Sequence, residues 1–239
     1  MAGSQVITLR LAYVGWNYHG VVKQPGLRTV QAELEEALRD QGIEVNLKFA
    51  SRTDKGVSAL ENIAFYIGRK PIISWLNSSL PDDIAVWGLS TFESPIRPSE
   101  KTYLYVVPFS IEKEELVKGL NEATKLPRLC KEGSAPPPDK YDVVRSDDFT
   151  FIYISGKSFC WQMVRRIVGR ALSLVTGVRM GVAPPEGLIL LRTKANIEWE
   201  EVNTKKLMSV KNHLEREMWR WGAGIWLGRL IERVISLEL

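Results

Sequence analysis

Asp54 is the carboxylate whose neighbours most suggest chemistry. It lies in Ser51-Arg52-Thr53-Asp54-Lys55-Gly56-Val57-Ser58-Ala59, between two basic residues and a glycine, directly after a stretch with strand periodicity. Nearby positive charge favours the ionised form of a carboxylic acid. An ionised and oriented aspartate can attack as a nucleophile or remove a proton as a base. The same composition also suits an ordinary turn, where Asp, Lys and Gly recur for conformational reasons.

Two further segments carry residue types that suit work on nucleic acid. In Lys101-Thr102-Tyr103-Leu104-Tyr105 the tyrosines stand two apart, so on a strand they share one face. A tyrosine there can stack on an unpaired base, or simply fill a half-buried strand face. The run Gly156–Gly169 reads as a loop followed by a helix. From Lys157 to Arg179 the chain holds Lys157, Arg165, Arg166, Arg170 and Arg179 with no acid among them. Arg166 and Arg170, four apart, share one helix face, whereas Arg165 points about 100° away. One arginine can therefore face inward while the others meet phosphates, although a plain basic surface patch has the same pattern. Ser155-Gly156-Lys157-Ser158 is no phosphate loop, because Phe151 stands where its first glycine belongs. The pairs Asp82-Asp83 and Asp147-Asp148 suit turns or caps better than metal sites.

These residues need elements to position them. Ile7, Leu9, Leu11 and Tyr13 alternate with smaller or polar residues and read as a strand. Thr29 caps an expected helix with Val30, Leu34, Ala37 and Leu38 on one stripe, ended by Gly42. Ile43, Val45, Leu47 and Phe49 give the cleanest strand alternation of the chain. Further strands are expected near Asn62–Ile67, Ile84–Thr91, Thr102–Val107 and Leu188–Leu191. Another runs through Phe149, Phe151 and Tyr153, with those aromatics on one face. Helices are expected over Ile72–Ser79, from about Phe159 to Val175, and in the tail from Lys205, which carries Trp219, Trp221 and Trp226. Pro127–Lys140, with Pro136-Pro137-Pro138, reads as a loop. The pattern implies an α+β fold, divided into an N-terminal half, residues 1–108, and a C-terminal half, residues 109–239.

Composition sets the outer bounds. The 239 residues are 45% hydrophobic and 25% charged, ordinary for a globular chain, with a net charge of +4. Cys130 and Cys160 fit no metal-ligand spacing with His19 and His213, and a disulfide framework is not expected. No stretch reaches the roughly 18 apolar residues of a membrane span, and the N-terminus lacks the apolar run of a signal peptide. The expectation is a soluble protein of a reducing cytoplasmic compartment.

Taken together and in order, the segments resemble the TruA family of tRNA pseudouridine synthases. Tyr13, Gly20, Gln24-Pro25 and Thr29-Val30-Gln31 echo the first family block, with Val21-Val22 in place of the usual Trp-Gln. In the catalytic block Arg52, Thr53, Asp54, Gly56, Val57 and Ala59 match, while Ser51 replaces a glycine and Ser58 a histidine. Tyr103 and Tyr105 match a basic-x-Tyr-x-Tyr strand, Phe159–Gly169 a Phe-x-x-x-Met-Val-Arg-x-Ile-Val-Gly helix, and Ala183–Leu188 an Ala-Pro-Pro-x-Gly-Leu block. The likeness spans about Ile7 to Leu191. The departures fit a divergent archaeal-type or specialised member.

The resemblance implies a pseudouridine synthase fold, with two ferredoxin-like halves, joined antiparallel sheets and a central cleft. It implies an isomerase that breaks the N-glycosidic bond of a uridine in tRNA, turns the base and rejoins it through carbon, without cofactor or metal. The target expected is the anticodon stem-loop, at positions 38–40. By the resemblance, Asp54 is the catalytic aspartate, Tyr103 stacks on the target base, and Arg165 pairs with Asp54. Arg10, Lys23, Arg28, Arg52, Lys55, Arg166 and Arg170 are candidate RNA contacts, and a homodimer is expected. The competing readings are an RNA-binding or RNA-folding protein of the same ancestry and a structural module that engages a partner through its tail.

Overall fold

A computed structural model describes residues 5–94 and 96–217. A mixed sheet forms the backbone of the fold. Its strands are β1 (Val6–Tyr13), β2 (Lys48–Phe49), β3 (Ser58–Ile67), β4 (Ile84–Phe92), β5 (Glu100–Val107), β6 (Lys140–Arg145), β7 (Thr150–Gly156), β8 (Leu188–Lys194) and β9 (Glu201–Val202). They run in the order β6-β7-β5-β8-β3-β1-β4-β9, with β2 paired to β3. Neighbours are antiparallel except at the junction of β3 and β8, where Ser58 faces Ile189 and Ala59 faces Leu190 in parallel register. The sheet crosses residue 108 in both directions, because β5 lies between β7 and β8 while β9 returns to the edge beside β4.

The helices α1 (Val30–Arg39), α2 (Ile73–Ser79), α3 (Lys113–Lys125) and α4 (Met163–Thr176) complete the expected α+β arrangement. Thr29 caps α1 as its sequence predicts, its Oγ1 accepting from the Ala32 N–H at 3.3 Å. Leu34, Ala37 and Leu38 bury the inner stripe of α1, and Gly42 leaves it at φ +69. Leu116, Leu120 and Ala123 of α3 and Ile167, Ala171 and Leu172 of α4 join the same continuous core as Ile7, Leu9 and Leu11 of β1. One core therefore underlies the strands of both halves.

Several expectations are corrected. Residues 43–47 are not a strand. Ile43 and Leu47 are buried and Glu44 and Asn46 exposed, so the alternation is real, but only Lys48 and Phe49 pair with a neighbour. An extended segment lying over the core produces the same pattern without a ladder. The α4 helix starts at Met163 rather than near Phe159, because Gln162 takes the left-handed conformation at φ +61. On β7 Phe151 and Tyr153 do share one face, the half-buried one, and Thr150, Ile152 and Ile154 form the core face. The strand β6 and the helix α3 add to the elements expected from periodicity.

A helix over residues 205–217 follows β9. Lys206 donates to the Leu80 carbonyl at 2.8 Å, Ser209 to Asp82 at 2.8 Å, and Val210 is buried against Val14 and Ala85. Trp219, Trp221 and Trp226 lie outside the described residues.

Candidate active site

Asp54 is half-buried on a loop whose backbone is pinned on both sides. The Thr53 carbonyl accepts from the Val21 N–H at 3.1 Å, and the Gly56 N–H donates to the Tyr18 carbonyl at 3.3 Å. Beneath the loop, Tyr13 and Thr53 share a 2.8 Å hydroxyl contact. Asn62, fully buried on β3, donates to the Tyr13 oxygen at 3.0 Å and to the Ser51 carbonyl at 2.9 Å. Gly15 sits against the other flank, where a Cβ would lie 2.0 Å from the Val57 carbonyl oxygen, and its N–H donates to Ser58 Oγ at 3.0 Å. Ser58, which stands where the resembled block has histidine, thus holds the loop by a hydroxyl.

The carboxylate meets a partner from the other half of the chain. Arg165, on the first turn of α4, places Nη1 3.3 Å from Asp54 Oδ2. Its Nε donates to the Ala183 carbonyl at 2.8 Å, and the Ala183 N–H returns to the Arg165 carbonyl at 2.9 Å. The guanidinium is thereby aimed before it reaches Asp54. Gly169, one turn on, admits this segment: a Cβ there would lie 2.8 Å from the Ala183 nitrogen.

Tyr103, on β5, forms the third corner. It is buried, with its ring edge-on to Phe159 at 5.0 Å between centroids. Burial raises its phenol well above the ordinary range, and the Asp54 charge adds to this, so the hydroxyl is neutral at physiological pH. Tyr105, on the same face, donates to the Pro184 carbonyl at 3.0 Å and braces the segment that carries Ala183.

Asp54, Tyr103, Phe159 and Arg165 line one cleft of about 1030 Å³. Its charged walls are Arg52, Lys55, Lys101 and Arg165 against Asp54 and Glu186, a balance that favours an anionic guest. Arg52 and Lys55 are exposed there, with no ion-pair partner among the described residues. Lys23 lines an adjoining cleft that shares Arg52 and is paired with Glu35 at 3.0 Å. Arg28 lies over the Tyr18 ring at 4.6 Å and pairs with Glu33 at 2.6 Å. The structure does not bring Arg10, Arg28, Arg166 or Arg170 to the cleft. Arg10 is paired with Glu61 and lies 3.6 Å from the Trp87 ring centre, with Trp199 at 5.4 Å. Arg170 donates to the Arg128 carbonyl at 3.0 Å.

Sequence reasoning missed Asn62, Gly15, Glu186 and the rim of the cleft. Asn62 left one signal, a polar residue within an apolar strand run. The rim holds the clearest correction: Cys130 and Cys160 form a disulfide. The loop after α3 folds back onto the segment before α4, where the Lys131 N–H donates to the Trp161 carbonyl at 2.9 Å. That return is a tertiary event, and a separation of 30 residues gives no local sign of it.

No family model matches the chain. Relatives named tRNA pseudouridine synthase A do. The Pyrococcus furiosus protein is 30% identical over 246 residues, covering 88% of this chain and 91% of the relative. The Pyrococcus abyssi protein is 33% identical over 248 residues, covering 87% and 92%. That of Thermococcus onnurineus is 33% identical over 254 residues, covering 87% and 91%. Among solved structures, an archaeal box H/ACA sRNP Nop10–Cbf5 complex matches with 12% identity and a TM-score of 0.41, covering 76% of this chain and 48% of that one. So low a score carries no argument about the fold.

Proposed function

The chain belongs to the TruA family of tRNA pseudouridine synthases, and from that premise we propose that it isomerises uridine in the tRNA anticodon stem-loop, at positions 38–40. The observation that carries the reading is the meeting of Asp54 and Arg165, 111 residues apart in sequence, in a basic cleft floored by Tyr103. The uridine leaves its stack to reach Asp54, an unstacking that costs a few kcal/mol. Asp54 acts on the ribose, as nucleophile or base, while the glycosidic bond breaks. Arg165 keeps the carboxylate aimed. Tyr103, neutral and held by Phe159, stacks on the freed base as it turns and exchanges a proton through its hydroxyl. Arg52 and Lys55 meet the phosphates at the cleft mouth.

The test is pseudouridine mapping on tRNA transcripts with wild type and Asp54→Asn. Wild type is expected to modify positions 38–40. The variant is expected to bind tRNA as before and to form no product. Product from Asp54→Asn would overturn the role of Asp54. Modification only at other positions would overturn the target. A wild type that binds tRNA but modifies no transcript would favour the RNA-binding reading.

A further inference from the structure

The rim of the cleft holds an aromatic side chain that the proposed chemistry leaves unused. Trp161 lines the same cleft as Asp54 and is 42% exposed, although it is the largest apolar side chain of its segment. Lys131 lies over its ring, the ammonium 3.7 Å from the centroid. The other strongly exposed tryptophan among the described residues, Trp75, does not line the cleft.

The segment bearing Trp161 is fixed rather than loose. Cys160 is bonded to Cys130, the Trp161 carbonyl accepts from Lys131, and the Met163 N–H donates to the Cys160 carbonyl at 3.1 Å. Gln162 turns the chain at φ +61 into α4. The two aromatics flanking Cys160 consequently have different tasks. Phe159 packs inward on Tyr103, whereas Trp161 is left at the rim. If Trp161 served only packing, leaving so much of an indole in water would forgo a large share of the gain from burying it. A rigid exposed aromatic beside a lysine, on the lip of a basic cleft, matches what unpaired nucleotides require: a face for the base and a cation for the phosphate.

We propose that Trp161 and Lys131 form a stacking platform for a nucleotide next to the uridine that enters the cleft. The inference rests on the proposed function, since it takes RNA as the guest. Trp161 is thus a positioning residue that holds the RNA chain in register with Asp54.

The experiment measures binding of an anticodon stem-loop oligoribonucleotide in the Asp54→Asn background, together with steady-state kinetics in the active enzyme. Trp161→Ala is expected to weaken binding about 5- to 160-fold, the usual range for losing one base–aromatic stack. It should raise KM more than it lowers kcat. Trp161→Phe should restore most of the affinity, and Lys131→Ala should reduce the salt dependence of binding by about one phosphate contact. Unchanged far-ultraviolet circular dichroism would show that the variants fold. Equal affinity and KM in Trp161→Ala and its parent would overturn the platform while leaving the function intact. Wild type that forms no pseudouridine but binds the stem-loop through Trp161 would refute the reaction and keep the platform. Absence of any binding would refute both.

Discussion

Opening the Cys130–Cys160 disulfide should weaken the fold by an amount that follows from its position. The bond closes a loop of 30 residues. In the chain-entropy treatment such a cross-link removes about 12 cal/mol/K from the unfolded chain, or about 3.6 kcal/mol at 25 °C. For a chain of this size about 1 kcal/mol corresponds to roughly 2–4 °C in Tm, so reduction should lower Tm by about 7–15 °C. The assay is a thermal melt followed by circular dichroism, with and without dithiothreitol, alongside thiol titration under denaturing conditions. Protein prepared without reductant should show no free thiol, and reduced protein two. Cys130→Ser/Cys160→Ser should melt near the reduced wild type and ignore the reductant. Two thiols in unreduced protein would refute the bond. Released thiols with no change in Tm would refute the argument that the loop is a significant source of unfolded-state entropy.

Two further outcomes follow from the site. Gly15→Ala drives a methyl group into the Val57 carbonyl, backbone against backbone, and should displace the Asp54 loop. Activity should fall at least about tenfold with stability lowered by about 1–3 kcal/mol, measured by pseudouridine formation and urea titration; wild-type values in both would sink the clamp. Burial lifts the Tyr13 phenol to about 12, partly offset by its bonds with Thr53 and Asn62, and burial also lifts Tyr105 to about 12. A folded-state value raised above the unfolded value of about 10 gives stability that is complete below pH 10 and lost as pH rises towards about 12. Urea midpoints between about pH 9 and about pH 12 should therefore fall; tyrosinate signal from these two residues in the folded protein already at about pH 10 would contradict it.

The residues that meet in the cleft are more legible in the sequence than the elements that support them. Arg52-Thr53-Asp54, Tyr103 and Arg165 each stand in a recognisable local pattern, and the fold brings these last three side chains to one cleft. Local periodicity also located α1, β1, β4 and β5, because capping and burial act within a few residues. It overread residues 43–47, where alternation reports which side faces the core and not whether a strand lies alongside. It could not show that Arg10 would be engaged by Glu61 and Trp87, since a basic residue on a strand looks alike whether it meets phosphate or tryptophan. Nor could it pair Cys130 with Cys160, whose approach depends on the packing of two loops.

The parallel seam between β3 and β8 has a mechanical consequence. Ser58 and Ala59 of β3, a few residues after Asp54, are the ones that face Ile189 and Leu190. Any swing of one half of the sheet against the other would have to pivot about this join. Displacement grows with distance from a pivot, so such a swing would move the residues next to the seam least. A cleft hinged next to its reactive group can widen at the mouth to admit a bulky RNA while its chemical centre stays in register.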